Sequence, residues 1–214
     1  MKQPDEGREW VRRWTASVAE ALKAARGRMS AQQLSERCAG LGYPIPRSTI
    51  TNLEIGRKES ISIQEVAVLA KALGIPPLSL VFPIGRERTV EILPGAEVPT
   101  WLAAQWFTGE ATFPVPLPDG GWGTNDNQQT WKTSAPFCFR LHSRLLKQWN
   151  DRRNDLRRAR QSPGSTGDTE ALEVQEELVR AAEDELRRYR ELMRQVGLTP
   201  NALPEELAHL DQED

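Results

Sequence analysis

The 214-residue sequence has only two cysteines and two histidines, and it has no apolar run long enough for a membrane-spanning helix. Cys38 and Cys138 are too few for a disulfide framework, and neither they nor His142 and His209 show metal-ligand spacing. The N-terminus is polar and carries acids, unlike a secretory signal. These absences argue against a metal site and favour a cytoplasmic location without membrane contact.

Motifs for catalysis are also missing. The chain contains no G-x-S-x-G nucleophile motif and no glycine-rich phosphate-binding loop. We therefore expect no catalytic residue and no cofactor, and the protein is predicted not to be an enzyme.

Charge is distributed in blocks, although the net charge is only −2. The net charge is +4 over residues 1–83, −3 over 84–136, +6 over 137–160 and −9 over 161–214. Blocks of opposite sign indicate surfaces with different partners, which include each other. The basic first block is compatible with a nucleic-acid partner, whereas the total charge is not informative.

Residues 1–83 are predicted to form five short helices. The first carries an apolar stripe at helical spacing, and the second and fourth begin at capping boxes, Ser30 with Gln33 and Ser62 with Glu65. Two glycines and two prolines between residues 40 and 46 predict a turn before the third helix.

The third helix, from about residue 47 to 55, has an outward face of small and polar residues. Ile50 and Leu53 are predicted to point inward because they are three positions apart. The opposite face can read the DNA major groove, since arginine pairs with guanine and asparagine with adenine. The residues predicted to contact bases are Arg47, Ser48, Thr51 and Asn52.

These residues resemble a known family. The stretch from Arg47 to Arg57, RSTITNLEIGR, followed by LAKALGI over 69–75, is similar to the xenobiotic-response-element (lambda-repressor-like) helix-turn-helix regulators. The VEILPG stretch at 90–95 and the tryptophan-containing segment at 99–107 extend the resemblance to larger actinobacterial members. It is strong over 15–110 and loose beyond.

The resemblance implies a five-helix DNA-binding bundle that works as a dimer on palindromic operators. It also implies that Glu54 has a structural role, paired with an arginine of the first helix, for which Arg26 is the best candidate. The residues predicted to contact DNA phosphates are Gln32, Thr49, Arg57 and Lys58.

Three features depart from the family pattern. Ala31 stands where the family often has glutamine, so a side-chain contact to phosphate is lost. Pro46 replaces the usual capping hydroxyl before the recognition helix and can serve as a rigid helix start. The turn before that helix is about five residues longer than in the minimal motif, which displaces the helix or adds a DNA contact of its own.

Residues 84–136 hold six of the fifteen prolines and four of the seven tryptophans. A short strand over 89–93 and a helix from Thr100 are expected, but the segment is predicted to be irregular, with a loop over 113–121. Its aromatics either form the core of the segment or line an effector or partner pocket. The pocket candidates are Trp101, Trp106, Phe107, Trp122 and Trp131.

Residues 137–214 return to helix. Two heptad seams, from His142 to Ala159 and from Leu172 to Val196, flank a turn rich in glycine and serine. The first helix is basic and the second acidic, which favours an antiparallel, coiled-coil-like hairpin within one chain. The acidic tail after Gly197 is expected to be a loosely attached cap.

The sequence thus predicts a mainly α protein with domains at 1–83, 84–136 and 137–214. The predicted function is that of a bacterial transcriptional regulator, a repressor by family habit, which binds double-stranded DNA as a homodimer. Two alternatives stay open. One is an antitoxin-like protein-interaction module, and the other is a sensor whose aromatic segment binds a small-molecule effector.

Overall fold

The computed structural model describes residues 4–124, 133–161 and 169–211, which fold into two compact units, Met1–Asn125 and Asp126–Asp214. The described residues are mainly helical, so the predicted fold class is confirmed at that level. No helix among them combines the length and the apolar character needed to cross a bilayer.

The first unit begins with five helices. They are α1 (Pro4–Arg26), α2 (Ala31–Gly40), α3 (Arg47–Glu54), α4 (Ile63–Leu73) and the single turn α5 (Leu78–Val81). Their apolar stripes meet in one core, where Leu22, Leu34 and Ile50 are almost completely buried. The helical periodicity of the sequence therefore predicts this core correctly.

The helix ends follow from local chemistry. Both predicted capping boxes are present, with the Ser30 and Ser62 hydroxyls accepting from the backbone N–H groups of Gln33 and Glu65. Helix α4 ends at Gly74, whose φ of 72° lies in the left-handed region that favours glycine. These ends fix where the core-facing stripes start and stop.

The rest of the first unit is more regular than the sequence predicts. Strands β1 (Thr89–Leu93) and β2 (Ala96–Pro99) form an antiparallel hairpin, followed by helix α6 (Thr100–Phe107). Phe82, Ile92 and Val98 are buried in a second cluster, against which Trp14 of α1 packs. The polypeptide beyond residue 83 is therefore packed against the helices before it.

The prediction of a loop over 113–121 is wrong in part. Strand β3 (Pro114–Pro116) pairs antiparallel with β4 (Trp122–Thr124). Leu117 N donates to the Gly121 carbonyl at 2.9 Å, which continues the same ladder. Prolines are tolerated here because they occupy alternate positions on an edge strand. The N–H groups that proline lacks at these positions are not needed for pairing.

The second unit consists of two long helices and a short C-terminal segment. Helix α7 (Ala135–Gln161) packs against α8 (Thr169–Gln195), and a 3-10 helix follows at Glu205–Asp211. Arg160 near the end of α7 pairs with Glu176 near the start of α8, and Tyr189 Oη donates to the Cys138 carbonyl at the other end. The order of these contacts is antiparallel.

The expectation of a loosely attached C-terminal cap is wrong. Leu207 and Leu210 of the 3-10 helix are 0% and 3% exposed, and they join the α7–α8 core. The guanidinium of Arg190, itself buried, donates to both carboxylate oxygens of Asp211 at 2.9 and 2.5 Å. An apolar anchor and a buried ion pair therefore fix the tail.

The same guanidinium lies against the buried His142. Arg190 Nη1 is 2.8 Å from His142 Nε2, an arrangement that requires the neutral imidazole to accept the hydrogen bond. Burial lowers the pKa of His142, the charge of Arg190 lowers it further, and Asp211 opposes the shift. The folded state therefore disfavours the imidazolium.

We expect the second unit to lose stability as the pH falls below the ordinary histidine value of 6.5. In this range the unfolded chain binds a proton at His142 that the folded chain does not, so acid favours unfolding. The measurement is the urea midpoint of the full chain at pH 7.5 and 5.5. The control, His142→Gln, keeps an acceptor and cannot titrate, and it should have the smaller pH dependence. Equal dependence in both proteins would contradict the assignment.

Candidate nucleic-acid interface

Helix α3 has an anchored face and a free face. Ile50 and Leu53 are 1% and 2% exposed in the core of the first unit. The side chains on the opposite face are solvent-exposed, and they are Arg47, Ser48, Thr51 and Asn52. The structure thus places the four predicted base-contacting residues together on one accessible surface.

The end of α3 is fixed from within the helix and the loop after it. Thr51 Oγ1 donates to the Arg47 carbonyl at 3.0 Å, so this hydroxyl is partly committed to its own helix. The Asn52 carbonyl accepts from the backbone N–H groups of Arg57 and Lys58 at 2.8 and 3.1 Å. These bonds hold the chain after α3 close to the exposed face of the helix.

The six-residue turn between α2 and α3 stands out from the core. Leu41 and Tyr43 are each 45% exposed, whereas Ile45 is buried and its carbonyl accepts from Ser35 Oγ at 2.6 Å. The turn is therefore anchored at its end, next to the start of α3, and presents an apolar and an aromatic side chain. The sequence predicted a turn before α3, although Gly40 belongs to α2, and it did not predict that Tyr43 would be exposed.

A mostly buried ion pair joins α3 to α1. Arg26 donates from Nε and Nη2 to the two carboxylate oxygens of Glu54 at 2.7 and 2.8 Å, and Nη1 donates to the Met29 carbonyl. The two side chains are only 16% and 10% exposed. The hydrogen bond to Glu54 raises the pKa of Arg26, and burial opposes it. This pair fixes the orientation of α3 relative to the bundle.

The residues predicted to contact phosphate differ in their exposure and in whether their side chains already bind another residue of the protein. Arg57 is exposed, and within the described residues neither it nor Arg47 takes part in an ion pair. Gln32 Nε2 donates to Glu36 Oε1 at 2.9 Å, and Thr49 is half-buried. The exposed cations Arg47 and Arg57 thus lie at the start of α3 and in the loop after it.

Lys58 has a partner inside the protein. Its ammonium forms an ion pair with Glu65, the carboxylate of the α4 capping box, and both side chains are mostly buried. Burial raises the pKa of Glu65, but the bonds from Lys58 and the Ser62 cap outweigh it and lower the pKa overall. Lys58 therefore holds the loop after α3 against α4.

The five aromatic pocket candidates are not gathered at one place. Trp106 packs edge-to-face on Phe113 with ring centroids 5.1 Å apart. Trp101 and Trp122 are exposed on α6 and β4, and Trp131 lies outside the described residues. Phe107 alone of the four described candidates packs on Phe82, at 5.3 Å between centroids, and lines an apolar groove.

That groove has a volume of about 510 Å³ and lies between α1, α4, α5 and Phe107. Trp10, Trp14 and Phe107 line this groove, and the buried Phe82 connects Trp14 to Phe107 through edge-to-face contacts. Trp10 and Trp14 belong to α1 and were not among the five predicted pocket residues. The groove suits the alternative of an apolar effector better than the predicted set does.

Among the described residues, no group of three histidine, cysteine or acidic side chains could hold a metal ion. Comparisons with protein-family models, curated proteins and solved structures found no match to this chain.

Proposed function

We propose that the first unit is a sequence-specific DNA-binding domain and that the protein regulates transcription, as a repressor, by occupying a palindromic operator as a homodimer. The single observation that carries the proposal is the exposed polar face of α3. Arg47 and Asn52 are on this face, while Ile50 and Leu53 anchor the helix from behind.

The chemistry of this face suits the edges of base pairs. Arg47 can donate two hydrogen bonds to guanine O6 and N7, and Asn52 can bridge adenine N6 and N7. Ser48 is small and Thr51 is short, so the backbone of α3 can approach the groove floor closely. The exposed Arg57 supplies a sequence-independent contact to phosphate, which gives register on the duplex.

Rigidity of the helix supports the same proposal. Readout by hydrogen bonds demands that the side chains be held in a fixed orientation before binding. The Arg26–Glu54 pair ties α3 to α1, and Lys58–Glu65 ties the following loop to α4. Both polar ties lie behind or beside the exposed face and leave its four residues available to DNA.

The test is selection of bound sequences from a random DNA library. We expect the wild-type protein to enrich a palindromic motif, and the Arg47→Ala, Asn52→Ala double variant to bind that motif about 1000-fold more weakly, because each half-site of the palindrome loses two base contacts. The estimate takes about 1 kcal/mol for each lost base contact, the lower end of the usual range. The matched control is Lys71→Ala with Gln64→Ala, which removes one cation and one amide from exposed positions of α4.

The outcomes separate two functions. A palindromic motif that the control retains and the α3 variant loses supports an operator-binding dimer. If no motif is enriched, and the wild type, the α3 variant and the control all bind DNA equally weakly and in a salt-sensitive way, the regulator proposal is contradicted. That result would favour a protein-interaction module.

A further inference from the structure

The groove of about 510 Å³ in the first unit, here called the α1–α4 groove, has an uncharged lining. None of the described residues that line it carries an ionisable side chain, and Val66 and Ala67 of α4 face Trp14 and Val18 of α1 across it. Pockets that bind small molecules have volumes of about 300–1000 Å³ and are mostly apolar. The size and the lining of the α1–α4 groove therefore fit a neutral small molecule.

Two polar side chains of the lining already have partners within the protein. Thr15 Oγ1 lies 2.8 Å from the Val11 carbonyl and 3.2 Å from the Glu59 carbonyl. Trp10 Nε1 donates to the Glu91 carbonyl at 3.0 Å. A ligand gains little from hydrogen bonds to these groups, so burial of apolar surface has to supply its affinity.

Two large apolar side chains of the lining are exposed to water. Ile63 at the start of α4 is 72% exposed, and Phe107 at the end of α6 is 50% exposed. Contiguous apolar surface of this kind is typical of binding sites. A molecule that fills the groove removes part of both side chains from water.

The dimensions of the groove favour a small molecule over a protein partner. Fourteen described residues line it, whereas a stable protein interface takes about 20–30 residues from each side. The surface beside it is polar, because Arg12 and Glu59, which are adjacent in sequence to the lining residues Val11 and Ser60, form an exposed ion pair at 3.2 Å. The apolar area therefore ends close to the groove.

One wall of the groove belongs to the segment that joins α3 to α4. Ser60 and Ile61 of this segment line the groove. A few residues earlier, the backbone N–H groups of Arg57 and Lys58 donate to the Asn52 carbonyl of α3. A molecule in the groove therefore contacts the same short segment that is bonded to the end of α3.

We propose that the α1–α4 groove binds a neutral, apolar small molecule with aromatic rings, and that this molecule acts as an effector by fixing the segment between α3 and α4. Aromatic rings suit the groove because Trp10, Trp14 and Phe107 offer ring edges and faces to them. The inference goes beyond the proposed function and does not depend on it, since binding is measured without DNA.

The test uses two fluorescent probes that share one ring system. N-phenyl-1-naphthylamine is neutral, whereas 8-anilino-1-naphthalenesulfonate carries a negative charge, and both become strongly fluorescent in apolar surroundings. We expect the full chain to bind one neutral probe with micromolar affinity. The sulfonate should bind at least about tenfold more weakly, because the lining offers no cation to a charge that loses water.

Three variants locate the binding site, with unfolding midpoints confirming that each is folded. Phe107→Ala should weaken binding of the neutral probe about tenfold, because it removes one aromatic wall. Ala67→Leu fills part of the groove from an exposed position of α4 and should weaken binding to a similar extent. The matched control, Trp101→Ala, removes an aromatic side chain that is 55% exposed on α6 but does not line the groove, and it should leave binding unchanged.

Hydrogen exchange tests whether the bound molecule fixes the segment between α3 and α4. At a concentration of the neutral probe that saturates the wild type, the amides of residues 57–61 should exchange more slowly in the wild type and in Trp101→Ala. The slowing should be smaller in Phe107→Ala, because less of this variant is occupied.

Three results would overturn the proposal: equal affinity for the two probes, equal affinity of wild type and Phe107→Ala for the neutral probe, or probe binding without slower exchange over residues 57–61. If the neutral probe dissociates a wild-type dimer, and Phe107→Ala is monomeric, a second copy of the chain occupies the groove and the proposal is also wrong. An enriched operator motif with failed probe binding, or the reverse, separates this proposal from the proposed function.

Discussion

Replacing Glu54 with alanine is expected to lower the free energy of unfolding of the first unit by about 3–5 kcal/mol. The change leaves the Arg26 guanidinium, only 16% exposed, without the two carboxylate oxygens that now accept from it. Removing one partner of a buried pair costs more than the pair contributes, because the remaining charge stays desolvated. The measurement is urea unfolding of the full chain, with Glu54→Ala compared to wild type.

The chain offers a matched control in Glu59, which pairs with Arg12 at 3.2 Å on the surface, where the two side chains are 79% and 63% exposed. Glu59→Ala should change the free energy of unfolding by less than about 1 kcal/mol, because water solvates both groups without the partner. A loss in Glu54→Ala no larger than that in the control would show that α3 is not anchored by this pair.

A further variant distinguishes charge from packing. Replacing Arg26 and Glu54 together with methionine removes the desolvated charges and keeps apolar volume, so most of the lost stability should return. DNA binding should recover less, since α3 would then pack without the two fixed hydrogen bonds that set its orientation.

Local patterns predicted the parts of this fold whose causes are local. The capping boxes at Ser30 and Ser62 depend on residues three positions apart, so the sequence alone contains both partners. The inward positions of Ile50 and Leu53 follow from the pitch of one helix. The exposed face of α3 could therefore be predicted with the correct four residues.

Contacts between distant segments could not be predicted in the same way. Lys58 was assigned to DNA phosphate because it follows the recognition helix, but the loop brings it to Glu65 of the capping box. The row of rings from Trp10 to Phe107 depends on how β1, β2 and α6 pack on α1. Lys58 and Glu65 are only seven positions apart, but the path of the loop between them decides whether they meet. For the row of rings, no spacing rule relates residues so far apart in the chain.

Proline content misled the prediction for residues 113–121. Two prolines in three residues argue against a central strand. This hairpin has only two strands, and Val115, which lies between the two prolines, pairs with Gly123. The compositional rule holds for sheet interiors, whereas this strand has a free edge on one side. A segment rich in proline can therefore pair when only alternate N–H groups are needed.

The burial of Arg190 against the C-terminal segment also could not be predicted from local sequence patterns. Heptad spacing placed Leu186, Tyr189 and Met193 on the inner seam of α8, and Arg190 falls beside that seam. Its acceptors, the Asn201 carbonyl and the Asp211 carboxylate, belong to a segment that the sequence suggested was loose. Arg190 is buried because that segment packs against α8, and helical periodicity does not predict this packing.

We expect Arg190→Met to lower the free energy of unfolding of the second unit by about 3–5 kcal/mol. Arg190 is 2% exposed, and its guanidinium donates to the Asp211 carboxylate and to the Asn201 carbonyl at 2.8 Å while contacting His142 Nε2. Methionine fills much of the volume but leaves a carboxylate and a carbonyl without these donors. Urea unfolding of the full chain, followed by hydrogen exchange of the α7 and α8 amides, measures the loss.

Arg194→Met is the control that shows whether the loss of stability comes from the buried guanidinium of Arg190. Arg194 also binds Asp211, through Nη2, but its side chain is 41% exposed. Water can replace that contact, so the loss should stay below about 1 kcal/mol. Faster exchange over residues 205–211 in Arg190→Met alone would follow from release of the 3-10 helix, because Leu207 and Leu210 then lose the polar tie that holds them in the core. If both variants lose the same stability, the buried guanidinium does not anchor the C-terminal segment, and apolar packing of the two leucines holds it.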